Sequence, residues 1–294
     1  MSTPGPGSLH WLYSGDRRSL LLLGRVGLLE LMYPPLGAGV VRHSASYTEP
    51  WARTLRSIPQ IAGVVYDGDR AEDTAAGIRD LHHGVKGTDE HGERYHALDP
   101  DTWFWAHATM FDVTLQVIEV FDRPLSPAAR ERFYAESVAV YRRYGVSDRP
   151  VPATYAEFQA YFDRVCAERL ELTPAARGLL AFVAEPRSMN QPWLPKPLWW
   201  VLAPVVGKVI WFLTRGLLPP VVRERVGADW RPVDERRFRG LARVVAAVWP
   251  RLPAALRYYP RARAAFARHP EFYRKSHRTG RVGPVADARS GTGG

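Results

Sequence analysis

The chain has 294 residues, of which 46% are hydrophobic and 24% charged, with a formal net charge of +10. This composition excludes an intrinsically disordered chain, and the length suits one large domain core. A lone cysteine, Cys166, excludes an intramolecular disulfide framework. The start "MSTPGPGSLHWLY" has neither the charged beginning nor the apolar run of a signal peptide, so we expect a cytoplasmic protein.

Helical periodicity dominates the chain, and no long series of alternating strands with Asn-Gly or Asp-Gly turns appears. The pattern predicts a mostly α fold. The predicted helices cover roughly 16–32, 49–66, 70–86, 100–121, 127–144, 154–170, 174–184, 197–214, 220–227, 233–248 and 252–268.

Several helix starts carry recognisable capping chemistry. Ser126 and Thr173 precede prolines and are predicted N-caps, with the proline at the first helical position. Asp99 and Pro100 make the same pair for the helix upstream. These local signals fix the predicted starts of three helices.

Two apolar segments invite comparison with membrane helices: "SLLLLGRVGLLELMYPPLGAGVV" and "PLWWVLAPVVGKVIWFLTRGLLPPVV". Charged residues and prolines interrupt both, so neither supplies the roughly 20 uninterrupted apolar residues of a spanning helix. We expect buried core helices. Because the second segment mixes tryptophans with lysine and arginine, it alternatively lies on a bilayer or lines an apolar substrate entrance.

The C-terminal end is strongly basic, since residues 251–281 hold nine lysines and arginines against the single acidic Glu271. A basic segment of this kind could bind nucleic acid, anionic lipid or an acidic protein. No zinc-finger, KH or RNP signature accompanies it, so we expect no specific nucleic-acid partner. A solvated helical extension ending in a disordered tail is the favoured interpretation.

Most enzyme motifs are missing, but five of the nine histidines lie within 26 residues: His82, His83, His91, His96 and His107. Histidine is the commonest neutral metal ligand. On a helix, His82 shares the apolar stripe of Ile78 and Val85, whereas His83 lines up with Arg79 and Lys86. The pattern predicts that His82 points inward and His83 outward.

His107 also falls on an apolar face, in "TWFWAHATMFDVT". A buried histidine among aromatic residues is either a hydrogen-bonded core residue or a ligand. Two such histidines favour a flat apolar cofactor. Upstream, Arg53, Arg56 and Ser57 share one helix face, which is either a solvated cationic patch or a clamp for an anion or a propionate.

These motifs together resemble a known family. The order "RTLRS", "RDLHHGVKG", "GERYHALDPDTWFWAHAT" and "PLSPAARERFYAES" is similar to the catalytic domain shared by MpaB-type oxygenases and latex-clearing proteins, the rubber oxygenases. The resemblance runs from about Trp11 to Tyr259 and is stronger to the MpaB-like branch. It implies a catalytic domain over 11–259 and a basic, partly disordered C-terminal extension over 260–294.

The resemblance implies one all-α domain that encloses a haem b, with iron bound by His82. It further implies an oxygenase that takes O2 and an apolar unsaturated substrate, prenyl-like or terpenoid-like, with oxidative cleavage of a C=C bond. Arg53, Arg56 and Ser57 fall where the rubber-cleaving branch carries arginine, lysine and threonine beside the haem. The last two depart from that branch, and its glutamate has no counterpart, since Glu49 is too close and Glu30 lies in another helix.

Alternatives stay open on the sequence. His107 either supports the haem through a hydrogen bond or ligates iron in place of His82. A di-iron bundle needs Glu-x-x-His on two helices, and only Glu93 to His96 offers that spacing. A non-enzymatic helical scaffold, or a protein that binds the membrane surface, needs no metal at all. The oligomeric state cannot be predicted.

Overall fold

Capping residues begin the helices as the sequence predicts. The computed structural model describes residues 4–44, 50–188 and 194–273, and the side chains of 50–56 lie outside the described part. The side chains of Ser126 and Thr173 accept hydrogen bonds from the amides of Ala129 and Ala176, at 3.2 and 3.0 Å. Asp99 accepts from Asp101 and Thr102 in the same way. The three predicted N-caps are confirmed.

The described chain is built almost entirely from helices. The α-helices are α1 Leu9–Tyr13, α2 Leu23–Leu31, α3 Pro34–His43, α4 Pro50–Tyr66, α5 Ala71–Asp80, α6 Pro100–Phe121, α7 Pro127–Arg142, α8 Tyr155–Glu168, α9 Pro174–Ala184, α10 Lys196–Leu217, α11 Pro220–Arg225, α12 Pro232–Val248, α13 Ala254–Arg257 and α14 Pro260–Arg268. Short 3₁₀ helices cover Arg17–Leu22, Gly68–Arg70, Pro186–Ser188 and Trp249–Arg251. The predicted all-α fold is confirmed.

A small hairpin interrupts the helical pattern between α5 and α6. Strands β1 Lys86–Thr88 and β2 Arg94–His96 pair antiparallel, with Gly87 opposite Tyr95. The sequence predicts a helix as far as residue 86, but α5 ends at Asp80, and residues 81–84 form a turn. The amide of Ala97 donates to the carbonyl of Val85 at 2.8 Å, which ties the end of this turn to the hairpin.

Helix α6 lies at the centre of the bundle and packs against α1, α2, α3, α7 and α12. Its inward side chains include Phe104, Trp105 and Phe111, each at most 2% exposed. The indole of Trp105 donates to the carbonyl of Leu29 at 3.0 Å, so even the polar edge of this ring is satisfied. Because α6 is packed on so many sides, its side chains are held in fixed positions within the bundle.

The described part of the C-terminal extension packs on this bundle. Phe266 of α14 is 6% exposed and lies edge-on to Trp11, with ring centroids 4.7 Å apart. Arg261 forms an ion pair with Asp67, and Arg268 donates to the carbonyl of Tyr66 at 3.0 Å. The domain boundary at residue 259 stays a prediction, and the predicted tail lies outside the described residues.

Candidate functional site

His82 lies in the turn after α5, where the helix gives way to the hairpin. Its backbone amide donates to the carbonyl of Arg79 at 2.9 Å, and its own carbonyl accepts from Val85 at 3.1 Å. The side chain is half-buried, and its ring stands edge-on to that of Trp103, with centroids 5.2 Å apart. The imidazole is thus held against α6 by a turn fixed at both ends, rather than by the helix that the sequence predicts.

The hydrogen bond of the His82 ring fixes its tautomer. Nδ1 lies 2.8 Å from the carbonyl oxygen of Ile78, which can only accept, so Nδ1 carries the proton. In the neutral ring, Nε2 therefore keeps its lone pair, and no residue of the described chain forms a hydrogen bond with Nε2. A histidine whose other nitrogen donates to a backbone carbonyl has the arrangement found in metal-ligating histidines.

His83 is oriented differently from its neighbour. Its side chain is 62% exposed, and Nε2 lies 3.3 Å from Asp80. The turn therefore separates the two adjacent histidines as the sequence predicts, one against the bundle and one in solvent. An exposed pair of this kind contributes little to stability.

His107 lies on α6, one turn after Trp103, the residue whose ring contacts His82. Its Nε2 donates to the carbonyl of Ser137 at 3.1 Å and also lies 2.9 Å from the Ser137 hydroxyl. Nδ1 therefore carries the lone pair. Burial lowers the pKa of His107 to about 4, which keeps the ring neutral at physiological pH.

A buried histidine, His10, lies near His107 and was not predicted. Nδ1 lies 2.8 Å from the Ser14 hydroxyl, while Nε2 is buried with no hydrogen-bond partner in the described chain. Burial first, and then the charge of His107, lower the pKa of His10 to about 3. The ring packs on Phe133, with centroids 4.9 Å apart.

Glu136 completes this buried polar group. It accepts from the amide of His10 at 3.0 Å, and burial raises the pKa of its carboxyl to about 7. The hydrogen bond from the His10 amide opposes that shift, and so does the charge of Arg132, 4.0 Å away. The sequence gives little sign of either residue, because His10 lies in a short apolar stretch and Glu136 among other charges.

The predicted arginine face belongs to α4. Helices α4 and α5 pack together and are joined by a short connection at 67–70. Ser57 is half-buried on α4. The side chains of Arg53 and Arg56 lie outside the described residues, and only their helical backbone is described.

A cluster of possible metal ligands lies on the surface of the described chain. Glu90, His91 and Glu171 bring ligand atoms within 4.8 Å of one another. Nε2 of His91 lies 2.5 Å from Glu171, and that contact raises the pKa of His91. The cluster is solvent-exposed or half-buried, and an ordinary ion pair accounts for its geometry.

The Glu-x-x-His spacing that suggested a di-iron site does not lie on a helix of the described chain. His96 belongs to strand β2, Glu93 precedes that strand, and Nδ1 of His96 accepts from the amide of Leu98 at 3.0 Å. A Glu-x-x-His pair serves a di-iron site when both side chains project from one helix into the core. This pair does not.

A cavity of about 520 Å³ lies between α9 and α10. Apolar residues including Leu180, Val183 and Trp211 line it, together with Arg187 and Lys208. None of the predicted site residues contributes to its wall. The cavity is therefore a separate feature from the region around His82.

The fold and the site together define an all-α domain with a half-buried histidine, His82, whose Nδ1 donates to a backbone carbonyl. A family model described as "ER-bound oxygenase mpaB/B'/Rubber oxygenase, catalytic domain" matches residues 11–247. The chain belongs to this family of oxygenase catalytic domains. No curated protein and no solved structure matches.

Proposed function

We propose that this protein is an oxygenase that binds haem b through Nε2 of His82. The observation that carries the proposal is the hydrogen bond from Nδ1 of His82 to the Ile78 carbonyl at 2.8 Å. It leaves the opposite nitrogen as the donor atom and holds the ring in one orientation. Membership of an oxygenase family supports the same conclusion.

The ligand set around His82 favours haem over a mononuclear or dinuclear non-haem iron site. Non-haem iron needs several protein ligands, commonly two histidines and a carboxylate. Within the described residues, the only cluster of three possible ligands is that of Glu90, His91 and Glu171 on the surface, which does not include His82. An iron that the protein holds through one imidazole needs a macrocycle to fill its other positions.

Aromatic residues beside His82 suit a flat apolar group. Trp103 contacts the imidazole, and Tyr144 stands edge-on to Trp103, with centroids 5.4 Å apart. Arg53 and Arg56 are proposed, from the family resemblance, as donors to a propionate or to the reacting oxygen. Ser57 is proposed as a hydroxyl on the reactive side of the haem.

Ile78 and His107 have different proposed roles in the site. Ile78 holds the proton on Nδ1 of His82 and so fixes the tautomer that ligates iron. His107, neutral because it is buried, is proposed as a supporting residue one turn after Trp103. Haem b, when bound, supplies a redox-active iron that activates O2.

The proposed substrate is an apolar unsaturated molecule of the prenyl or terpenoid class. In oxidative cleavage, the C=C bond and the O–O bond break and two C=O bonds form, so that one O2 and one alkene give two carbonyl products without added electrons. Hydroxylation instead leaves the carbon skeleton intact and places one oxygen atom in the product, while the other leaves as water, which requires two electrons and two protons from an external donor.

The test is incubation of the haem-loaded protein with squalene under ¹⁸O2, with carbonyl products trapped as hydrazones for mass spectrometry. We expect shortened carbon skeletons with ¹⁸O in both fragments. If the product is instead squalene with an intact carbon skeleton and an added hydroxyl group, the reaction is hydroxylation rather than cleavage. A protein that binds no haem when supplied with the cofactor would refute the proposal and favour the helical scaffold.

A further inference from the structure

The N-terminal half of α10 presents an apolar face to solvent. Trp200, Val201 and Val205 are 60%, 63% and 62% exposed, and Leu198 and Val209 are about half exposed. Leu198, Val201, Val205 and Val209 are three or four residues apart and recur along one side of the helix, whereas Trp200 lies on the side of Arg187. Large apolar side chains that recur on one exposed face, rather than singly, mark an interaction surface. We name the stripe formed by Leu198, Val201, Val205 and Val209 the α10 face.

Helix α10 is long and apolar enough to span a membrane, and only 22% of its most apolar stretch is buried inside the protein. The paired segments Arg17–Leu31 and Pro34–His43 are together also long and apolar enough, but they are bent by 103°. The expectation of a buried core helix therefore holds only for the C-terminal half of α10. There, Leu213, Thr214 and Leu217 are buried.

Close packing keeps α10 on the domain rather than leaving it free to cross a bilayer. A methyl group at Gly207 would lie 2.7 Å from Pro186, and one at Gly24 of α2 would overlap Thr214. Nearer the N-terminal end, the Arg187 guanidinium donates to the carbonyl of Trp200 at 3.1 Å. Contacts at both ends hold the helix against the protein, with the α10 face turned outward.

The charge around the α10 face is mainly positive, although the exposed Glu185 lies next to Pro186. Residues 186–223 contain five lysines and arginines and no aspartate or glutamate. Lys196 and Lys208 are exposed, and the Arg187 guanidinium stacks on the Trp200 ring at 4.1 Å. A second copy of this chain would present the same positive charge and be repelled, whereas an anionic bilayer offers both negative charge and an apolar interior.

We propose that the α10 face docks this protein onto the surface of an anionic lipid bilayer, with α10 parallel to the membrane plane. The exposed valines and Leu198 enter the boundary between headgroups and acyl chains, and the basic residues contact lipid phosphates. This inference stands apart from the proposed oxygenase activity, because it concerns a surface rather than the region of His82.

The first test places an environment-sensitive thiol label at Val205→Cys. The native Cys166 does not interfere, because it is buried and burial raises the pKa of its thiol to about 12. The matched control is Val244→Cys on α12, where the valine is 58% exposed. Vesicles of phosphatidylglycerol and phosphatidylcholine should blue-shift and brighten the label at 205 and leave that at 244 unchanged.

The second test is co-sedimentation of the full chain with the same vesicles. The double variant Val201→Glu with Val205→Glu should weaken binding roughly tenfold or more, because carboxylates would enter the apolar boundary. Val244→Glu with Val248→Glu, also at exposed positions, should bind like the wild type. Pure phosphatidylcholine vesicles should bind far less than anionic ones.

Three results would overturn the proposal. The first is a wild type that binds no anionic vesicles. The second is an equal response of the labels at 205 and 244. The third is a label at 205 that responds to protein concentration without lipid, which would assign the α10 face to self-association. Haem content, measured separately on each sample, shows whether the oxygenase proposal stands or falls on its own.

Discussion

The backbone amide of His10 donates a hydrogen bond at 3.0 Å to the buried carboxylate of Glu136, 126 residues away in sequence. The contact joins the first helix of the chain to α7. The imidazole of His10 is itself buried, with Nε2 unpaired in the described chain. Burial therefore disfavours the charged form of both groups, which shifts their pKa values in opposite directions.

Glu136 should make the folded state less stable as pH rises. Its pKa is about 7 in the folded protein and near 4.5 when unfolded, so the folded state holds more protons between these values. The free energy of unfolding should then fall across this window, by up to about 3 kcal/mol for this group. Glu136→Gln, measured by urea unfolding from pH 4.5 to 8 in one cofactor state, should remove that decline. An unchanged pH dependence would show that the carboxyl ionises freely.

His10 should act in the opposite direction. With a folded pKa of about 3 against 6.5 unfolded, the unfolded state binds the extra proton first as pH falls. At pH 5 this group should cost about 2 kcal/mol relative to pH 8. His10→Phe, which suits the contact with Phe133, should therefore unfold at a lower pH than the wild type. Acid unfolding followed by circular dichroism measures the midpoint, and a midpoint at higher pH would contradict this account.

The ion pair between Arg25 and Asp112 should matter more than its exposed counterparts. Nε and one terminal nitrogen of Arg25 contact both oxygens of Asp112, at 2.6 and 2.9 Å, and both side chains are at most 7% exposed. Asp112→Asn leaves a buried guanidinium without its counter-charge, which should cost about 3 to 5 kcal/mol. The control Asp148→Asn breaks an exposed pair with Arg142 and should cost less than about 1 kcal/mol. Equal losses in urea unfolding would contradict the importance of burial.

Two helical glycines should respond oppositely to alanine. A methyl group at Gly24 overlaps Thr214, so Gly24→Ala should force α2 and α10 apart and destabilise the fold by about 1 to 3 kcal/mol. Nothing lies within 4 Å of the equivalent position at Gly77 in α5, where alanine should stabilise by about 0.5 to 1 kcal/mol. Thermal unfolding of the two variants compares them directly, and a stable Gly24→Ala would show that the helices can separate at little cost.

The sequence predicts local features of this fold well. The caps at Ser126 and Thr173 depend on neighbouring residues, so their chemistry can be recognised without tertiary information. The end of α5 could not be predicted in the same way. Helical periodicity continues past Asp80, but the bond from Ala97 to Val85 belongs to a hairpin whose strands are three residues each. Such short strands leave no readable alternation.

The tertiary contacts and the solvent exposure of individual side chains could not be predicted from the sequence. The pairing of His10 with Glu136 depends on how α1 packs on α7, which neither segment reveals alone. Apolar composition predicted a buried α10, but a face directed at lipid and a face directed at a core have the same residue types. For Arg53 and Arg56, the family resemblance remains the basis of their proposed roles.

The central claim is that His82 holds the haem iron, and the visible absorption spectrum tests it most directly. The comparison is between the wild type, His82→Ala, His107→Ala and the neighbouring control His83→Ala, each expressed with a haem precursor. We predict a Soret band at roughly 400–420 nm in the wild type and in His83→Ala. His82→Ala should lose this band or shift it. Loss in His107→Ala with retention in His82→Ala would contradict the assignment and make His107 the ligand.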